Sequence, residues 1–110
     1  MENDLIHDPI LIQFLREKKD YILKKYKPVR FILFGSRVWG KPTENSDIDL
    51  ILVSNEFIGE KFIGRMGRIL KELKFPEHID ALCYTEEEFN KKLSESFIVR
   101  DAIKNGFSII

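Results

Sequence analysis

The sequence predicts a small α/β domain of α+β character, a mixed β-sheet flanked by helices. Three short apolar runs rich in β-forming residues, "VRFILFG" (29–35), "DIDLILV" (47–53) and "HIDALCY" (78–84), have the length of buried strands. Segments with apolar residues at helical spacing separate and flank them. The order that results, α-β-(α)-β-α-β-α, is that of a sheet covered by helices. At 110 residues, a single domain over 1–110 is the expectation.

Each element has a local reason. Asp8 before Pro9 forms an N-cap with proline at the first helical position. Leu11, Leu15, Ile22 and Tyr26 then recur at helical spacing until Pro28, which predicts a helix near 8–26. Residues 29–35 form the first strand. "SRVWG" has helical potential, and the polar "GKPTENS" after it reads as a loop. The second strand is 47–53. Phe62, Ile63, Met66, Ile69, Leu70 and Leu73 fall on one helical face, predicting a helix near 60–74 that stops before Pro76. The third strand is 78–84. Thr85 followed by "EEEF" is an N-cap with acids in the first turn, where the helix dipole favours them. "SESFIVRDAIKNG" is helical, with Gly106 placed for a left-handed C-cap. "FSII" adds an edge strand, which a second copy of the chain can pair with.

Composition narrows the function. Hydrophobic residues make up 44% and charged residues 33%, as in soluble globular proteins. Eighteen basic residues balance eighteen acidic ones, which leaves no footprint for nonspecific nucleic-acid binding. Cys83 is the single cysteine, so no disulfide framework forms within the chain and a reducing cytoplasm is expected. The acidic start "MENDLIHDPI" lacks a signal-peptide apolar core, and no apolar run approaches the ~20 residues of a membrane helix. His7 and His78 have no metal-site spacing and read as structural or exposed. Cys83 reads as a buried small apolar residue, and the charges of "EKKDYILKKYK" as the wet face of the first helix.

The chemistry-bearing stretch is "GSRVWGKPTENSDIDL" (35–50). Side chains alternate along a strand, so Asp47 and Asp49 share one face and Ile48, Leu50 and Leu52 the other. Two carboxylates aimed the same way repel, which a shifted pKa or a bound cation relieves. Their hard oxygens suit Mg²⁺ or Mn²⁺. Taken alone, the pair also reads as turn chemistry at Ser46-Asp47 beside an exposed strand acid. Gly35-Ser36 closes one strand and opens a short helix. Glycine admits a phosphate to the backbone, and a helix N-terminus offers free N–H groups to it. Taken alone, Ser36 also reads as a plain N-cap. Together the two features put a phosphate cradle and a metal-binding acid pair at the ends of one connecting segment.

With Gly-Ser, ten residues from Arg37 to Ser46, then Asp-x-Asp in "SDIDL", the stretch closely resembles the signature of the DNA polymerase β-like nucleotidyltransferases, and the small size is similar to their minimal members. The resemblance covers nearly the whole chain and implies that superfamily's fold. It departs at Val38, where the family often has alanine, and at Trp39, often basic there; Trp39 is expected to pack rather than stack on a base or partner. The family's third metal carboxylate lies on a later apolar strand, and "HIDALCY" supplies Asp80. The resemblance implies transfer of a nucleoside monophosphate, with AMP from ATP foremost, to an acceptor hydroxyl. Two Mg²⁺ ions held by Asp47, Asp49 and Asp80 would assist, and Asp80 would help to take the acceptor proton. Gly35 and Ser36 would grip the β- and γ-phosphates, with Arg37 and Lys41 as candidates for neutralising their charge. Minimal members also resemble antitoxins paired with a helical HEPN ribonuclease, which implies a protein adenylyltransferase that modifies a tyrosine of the toxin. The alternatives are a non-catalytic antitoxin that occludes its partner, and a stand-alone enzyme acting on a small molecule or nucleic acid.

Overall fold

The computed structural model describes residues 6–110; the first five residues of the acidic start lie outside them. Four strands, β1 (Arg30–Phe34), β2 (Ile48–Val53), β3 (Ile79–Tyr84) and β4 (Phe107–Ser108), form one mixed sheet in the order β3-β2-β1-β4. β1 pairs antiparallel with β2 and with β4, whereas β2 and β3 run parallel. Five helices accompany them: α1 (Pro9–Tyr26), α2 (Ser36–Trp39), α3 (Phe62–Leu73), α4 (Glu86–Glu95) and α5 (Phe97–Asn105). The first three predicted strands and the first helix are found within a residue of their expected bounds, and the "FSII" strand is confined to its first two residues.

β2 is buried on both faces, which is why it reads as an almost unbroken apolar run. Ile48, Leu50 and Leu52 join the larger core with Leu11, Phe14, Ile22 and Tyr26 of α1 and Ile69 and Leu73 of α3. Ile51 and Val53 face the other way, into a smaller core with Tyr84, Phe89 of α4, and Val99 and Ala102 of α5. Side-chain caps fix the starts of α1, α4 and α5. Asp8 Oδ2 accepts the Leu11 N–H at 2.9 Å, and Thr85 and Glu88 form a reciprocal capping box.

Three expectations need correction. The C-terminal helical stretch is two helices, because Ser96 ends α4 and its hydroxyl accepts the Val99 N–H that opens α5. Gly106 is not left-handed: its φ is −83° and ψ −175°. Glycine is needed there for room, since a Cβ would lie 2.3 Å from the Ala102 carbonyl oxygen and 2.6 Å from that of Leu33. Finally, the apolar face of α3 is buried only in its C-terminal half. Ile69 and Leu73 are in the core, but Phe62 (46%), Ile63 (89%) and Met66 (39%) are exposed. The "FSII" strand pairs through Phe107 and Ser108 with Leu33 and Ile32 of its own chain. Among the described residues, no helix is long and apolar enough to cross a membrane.

Candidate active site

The sheet brings the predicted acids together. Parallel pairing sets Asp49 beside Asp80, and antiparallel pairing sets Asp49 beside Phe34, the residue before Gly35. Asp49 therefore sits between the Gly-Ser turn on one side and Asp80 on the other. Asp47 lies exposed at the residue before β2, and Asp49 is half-buried. Burial, then the charges of Asp80 and Asp47, push the Asp49 carboxyl up to about 6.

Gly35 is shaped by Asp49. Its φ of 85° and ψ of −172° belong to a region that essentially only glycine occupies. A Cβ there would lie 2.0 Å from Asp49 Oδ2, so the carboxylate lies directly over the Gly-Ser backbone. α2 starts at Ser36, and the first N–H groups of a helix have no partner within it. The Ser36 hydroxyl donates to Ser46 Oγ at 3.0 Å, and Ser46 Oγ also accepts the Thr43 N–H at 2.8 Å. Ser46 thus ties the loop between α2 and β2 back to the turn. Sequence reasoning assigned it no such role, although its place in "SDIDL" marked the motif.

Arg37 and Lys41 have different surroundings. Arg37 is 5% exposed and pairs with Asp8 through Nη1 at 3.0 and 3.1 Å, while its Nε donates to the Ser46 carbonyl at 3.1 Å. The guanidinium locks the start of α1 to the far end of the Gly-Ser loop and is committed to those partners. Lys41 is exposed just beyond α2. Trp39 is half-exposed rather than packed in the core, and its indole N–H donates to the Asn105 carbonyl at 3.0 Å. Val38 packs against the larger core. Cys83 is buried, which pushes its thiol up to about 12, as expected of an unreactive core residue.

Sequence reasoning missed Arg65. It is 3% exposed and donates to the carbonyls of Glu60, Phe57 and Cys83 and to Glu88. This fastens α3 to the C-terminal end of β3. No local pattern marks it, because its partners lie up to 23 residues away.

The matching family model is the nucleotidyltransferase domain, over residues 15–106. The chain belongs to the nucleotidyltransferase family. A Methanocaldococcus jannaschii protein named "Putative protein adenylyltransferase" is 40% identical over 77 residues, covering 70% of this chain and 73% of that one. A crystal structure of a "putative nucleotidyltransferase" from Sulfolobus solfataricus superposes with a TM-score of 0.49 at 19% identity, over 74% of this chain and 78% of the other. The family match spans the mixed sheet of four strands and most of its helical cover, an α+β fold.

The donors present are of the kind a hard divalent cation takes: Asp49 and Asp80 lie in register on β2 and β3, Asp47 stands just before β2, and the charges of Asp80 and Asp47 add to the burial that raises Asp49. Among the described residues, no three His, Cys, Asp or Glu side chains are drawn together tightly enough to cage an ion unaided.

Proposed function

We propose that this nucleotidyltransferase is a Mg²⁺-dependent protein adenylyltransferase that moves AMP from ATP to a tyrosine hydroxyl of a partner protein. The observation that carries the reading is Asp49, whose carboxylate fills the space that Gly35 leaves for it and which has Asp80 in register beside it. The name of the 40%-identical relative supports protein as the acceptor class. A HEPN-type toxin encoded nearby is the proposed partner.

Asp47, Asp49 and Asp80 would hold Mg²⁺ or Mn²⁺, which when bound screens phosphate charge and stabilises the attacking and leaving oxygens. Gly35 lets the Asp49 carboxylate lie against the turn where the triphosphate would bind, and the Ser36 hydroxyl, turning from Ser46 Oγ, and the first α2 N–H groups would hold its terminal phosphates. Exposed Lys41 adds charge at the mouth of the loop. Arg37 has a positioning role: by gripping Asp8 and the Ser46 carbonyl it holds the Gly-Ser turn and the acid strand at a fixed distance. The acceptor oxygen forms a bond to the α-phosphorus, and the bond from that phosphorus to the β-phosphate oxygen breaks. Pyrophosphate leaves with the electron pair, and the acceptor proton passes to Asp80 or to water.

Purified protein is incubated with α-labelled ATP, Mg²⁺ and the product of the adjacent gene. The expected result is label on a partner tyrosine, lost with Asp47→Ala or with chelator. A partner that is silenced without label, equally by Asp47→Ala, would replace catalysis with occlusion.

A further inference from the structure

Beyond Asp80, on the side away from β1, β3 is the edge strand of the sheet among the described residues. A groove of about 380 Å³ opens there, lined by Phe62, Ile63 and Met66 of α3 and by Asp80, Ala81, Leu82 and Cys83. Alternation along β3 puts Leu82 and Tyr84 on the same face as Asp80. Phe62 stacks on Tyr84 with ring centroids 5.5 Å apart, so the first turn of α3 curls round the strand edge onto the acid face. This is the exposed half of the α3 stripe, which serves no core. Ala81 turns its N–H outward, where among the described residues it meets the Met66 thioether at 3.4 Å, a weak acceptor that a peptide carbonyl can replace.

We propose that this groove docks the acceptor as an extended, apolar polypeptide segment that delivers its tyrosine hydroxyl to Asp80. The proposal rests on the adenylyltransferase reading and adds where and by what chemistry the acceptor binds. Sheet order supports it: the Gly-Ser turn lies at the β1 side of Asp49 and the groove at the β3 side, so an acceptor entering along β3 meets the nucleotide from the opposite flank. Among the described residues the lining holds one acid and no base. A nucleic acid would bring phosphates to an acidic, apolar wall with nothing to neutralise them. An apolar peptide finds matching surface and an available edge N–H, as in strand addition. Arg65 bonding the Cys83 carbonyl at 3.1 Å limits the open edge to the half of β3 nearest Asp80.

The test uses α-labelled ATP, Mg²⁺ and synthetic peptides carrying one central tyrosine, flanked by leucine and valine in one set and by serine and aspartate in the other. The wild-type protein is expected to label the apolar set at least about tenfold better in kcat/KM. Ile63→Asp is expected to remove that preference by raising peptide KM about tenfold, with the affinity for a fluorescent ATP analogue and the melting temperature unchanged. Ile98→Asp, an exposed apolar site on α5, is expected to leave labelling as in the wild type. Equal labelling of both sets, or an Ile63→Asp protein that keeps the preference, overturns the docking groove while the adenylyltransferase reading stands. Label on an added RNA oligonucleotide and on no peptide overturns both.

Discussion

β3 runs between two charged clusters of opposite design. At its C-terminal end, Arg65 has a partner for each of its donating nitrogens: backbone carbonyls on three residues and the Glu88 carboxylate at 2.5 Å. Nearby, Arg68 joins Glu60 at 2.6 Å and Glu72 at 3.1 Å, and Tyr26 donates to Glu72 at 2.5 Å. The carboxyls of Glu60, Glu72 and Glu88 are all held below their ordinary value, mainly by hydrogen bonds from Arg68, Tyr26 and Arg65 respectively. At its N-terminal end, Asp80, Asp49 and Asp47 converge, and the Asp49 carboxyl rises. The paired cluster fastens helices to the sheet. The acid cluster, with its raised Asp49 carboxyl, is the mark of a candidate functional site.

The largest effect is expected where the paired cluster is broken. Arg65→Ala removes a buried guanidinium and leaves the carbonyls of Phe57, Glu60 and Cys83 without it. A loss of about 4 kcal/mol is expected in denaturant unfolding; a loss under about 1 kcal/mol would mean that water replaces it freely. Next is the turn that abuts the acids. Gly35→Ala puts a Cβ where Asp49 Oδ2 lies and strains a φ of 85°. About a hundredfold loss of kcat is expected in nucleotidyl transfer, and activity within twofold of wild type would show that the Gly-Ser approach is not used.

Much of this architecture is legible in the sequence. β1, β2 and β3 are visible because burial makes each a short apolar run, and α1 because Asp8-Pro9 and Pro28 bracket it. Gly35 and Asp49 stand out by residue type and spacing, Asp80 only through the family resemblance, and the sheet register brings them together. What escapes is set by distant partners. Arg37 reads as a phosphate candidate until Asp8, 29 residues earlier, is found to hold it. Arg65 reads as one more helical charge. The exposed start of α3 is hidden because an apolar stripe looks the same whether a core or solvent lies beyond it. Gly106 has the right residue in the right place, but crowding by the Leu33 and Ala102 carbonyls, not handedness, demands it.

The smallest expected effect reports most directly on the acid cluster. Folding raises the Asp49 carboxyl from 3.8 to about 6, so the folded chain binds a proton that the unfolded chain has released. Its contribution therefore turns unfavourable as pH rises through that window and stays so above it. Neutralising it in Asp49→Asn is expected to stabilise the metal-free protein at pH 7.5 by about 1 kcal/mol, a figure reduced for solvent screening of a half-exposed group.

The decisive measurement is the melting temperature of wild type and Asp49→Asn, in chelator and then with saturating Mg²⁺-ATP. In chelator the variant is expected to melt a few degrees higher, with the gap closing as pH falls from about 6 to about 4. With Mg²⁺-ATP the wild type is expected to rise and the variant to stay where it was. A variant that melts lower in chelator, or an equal rise of both proteins with Mg²⁺-ATP, would contradict the account.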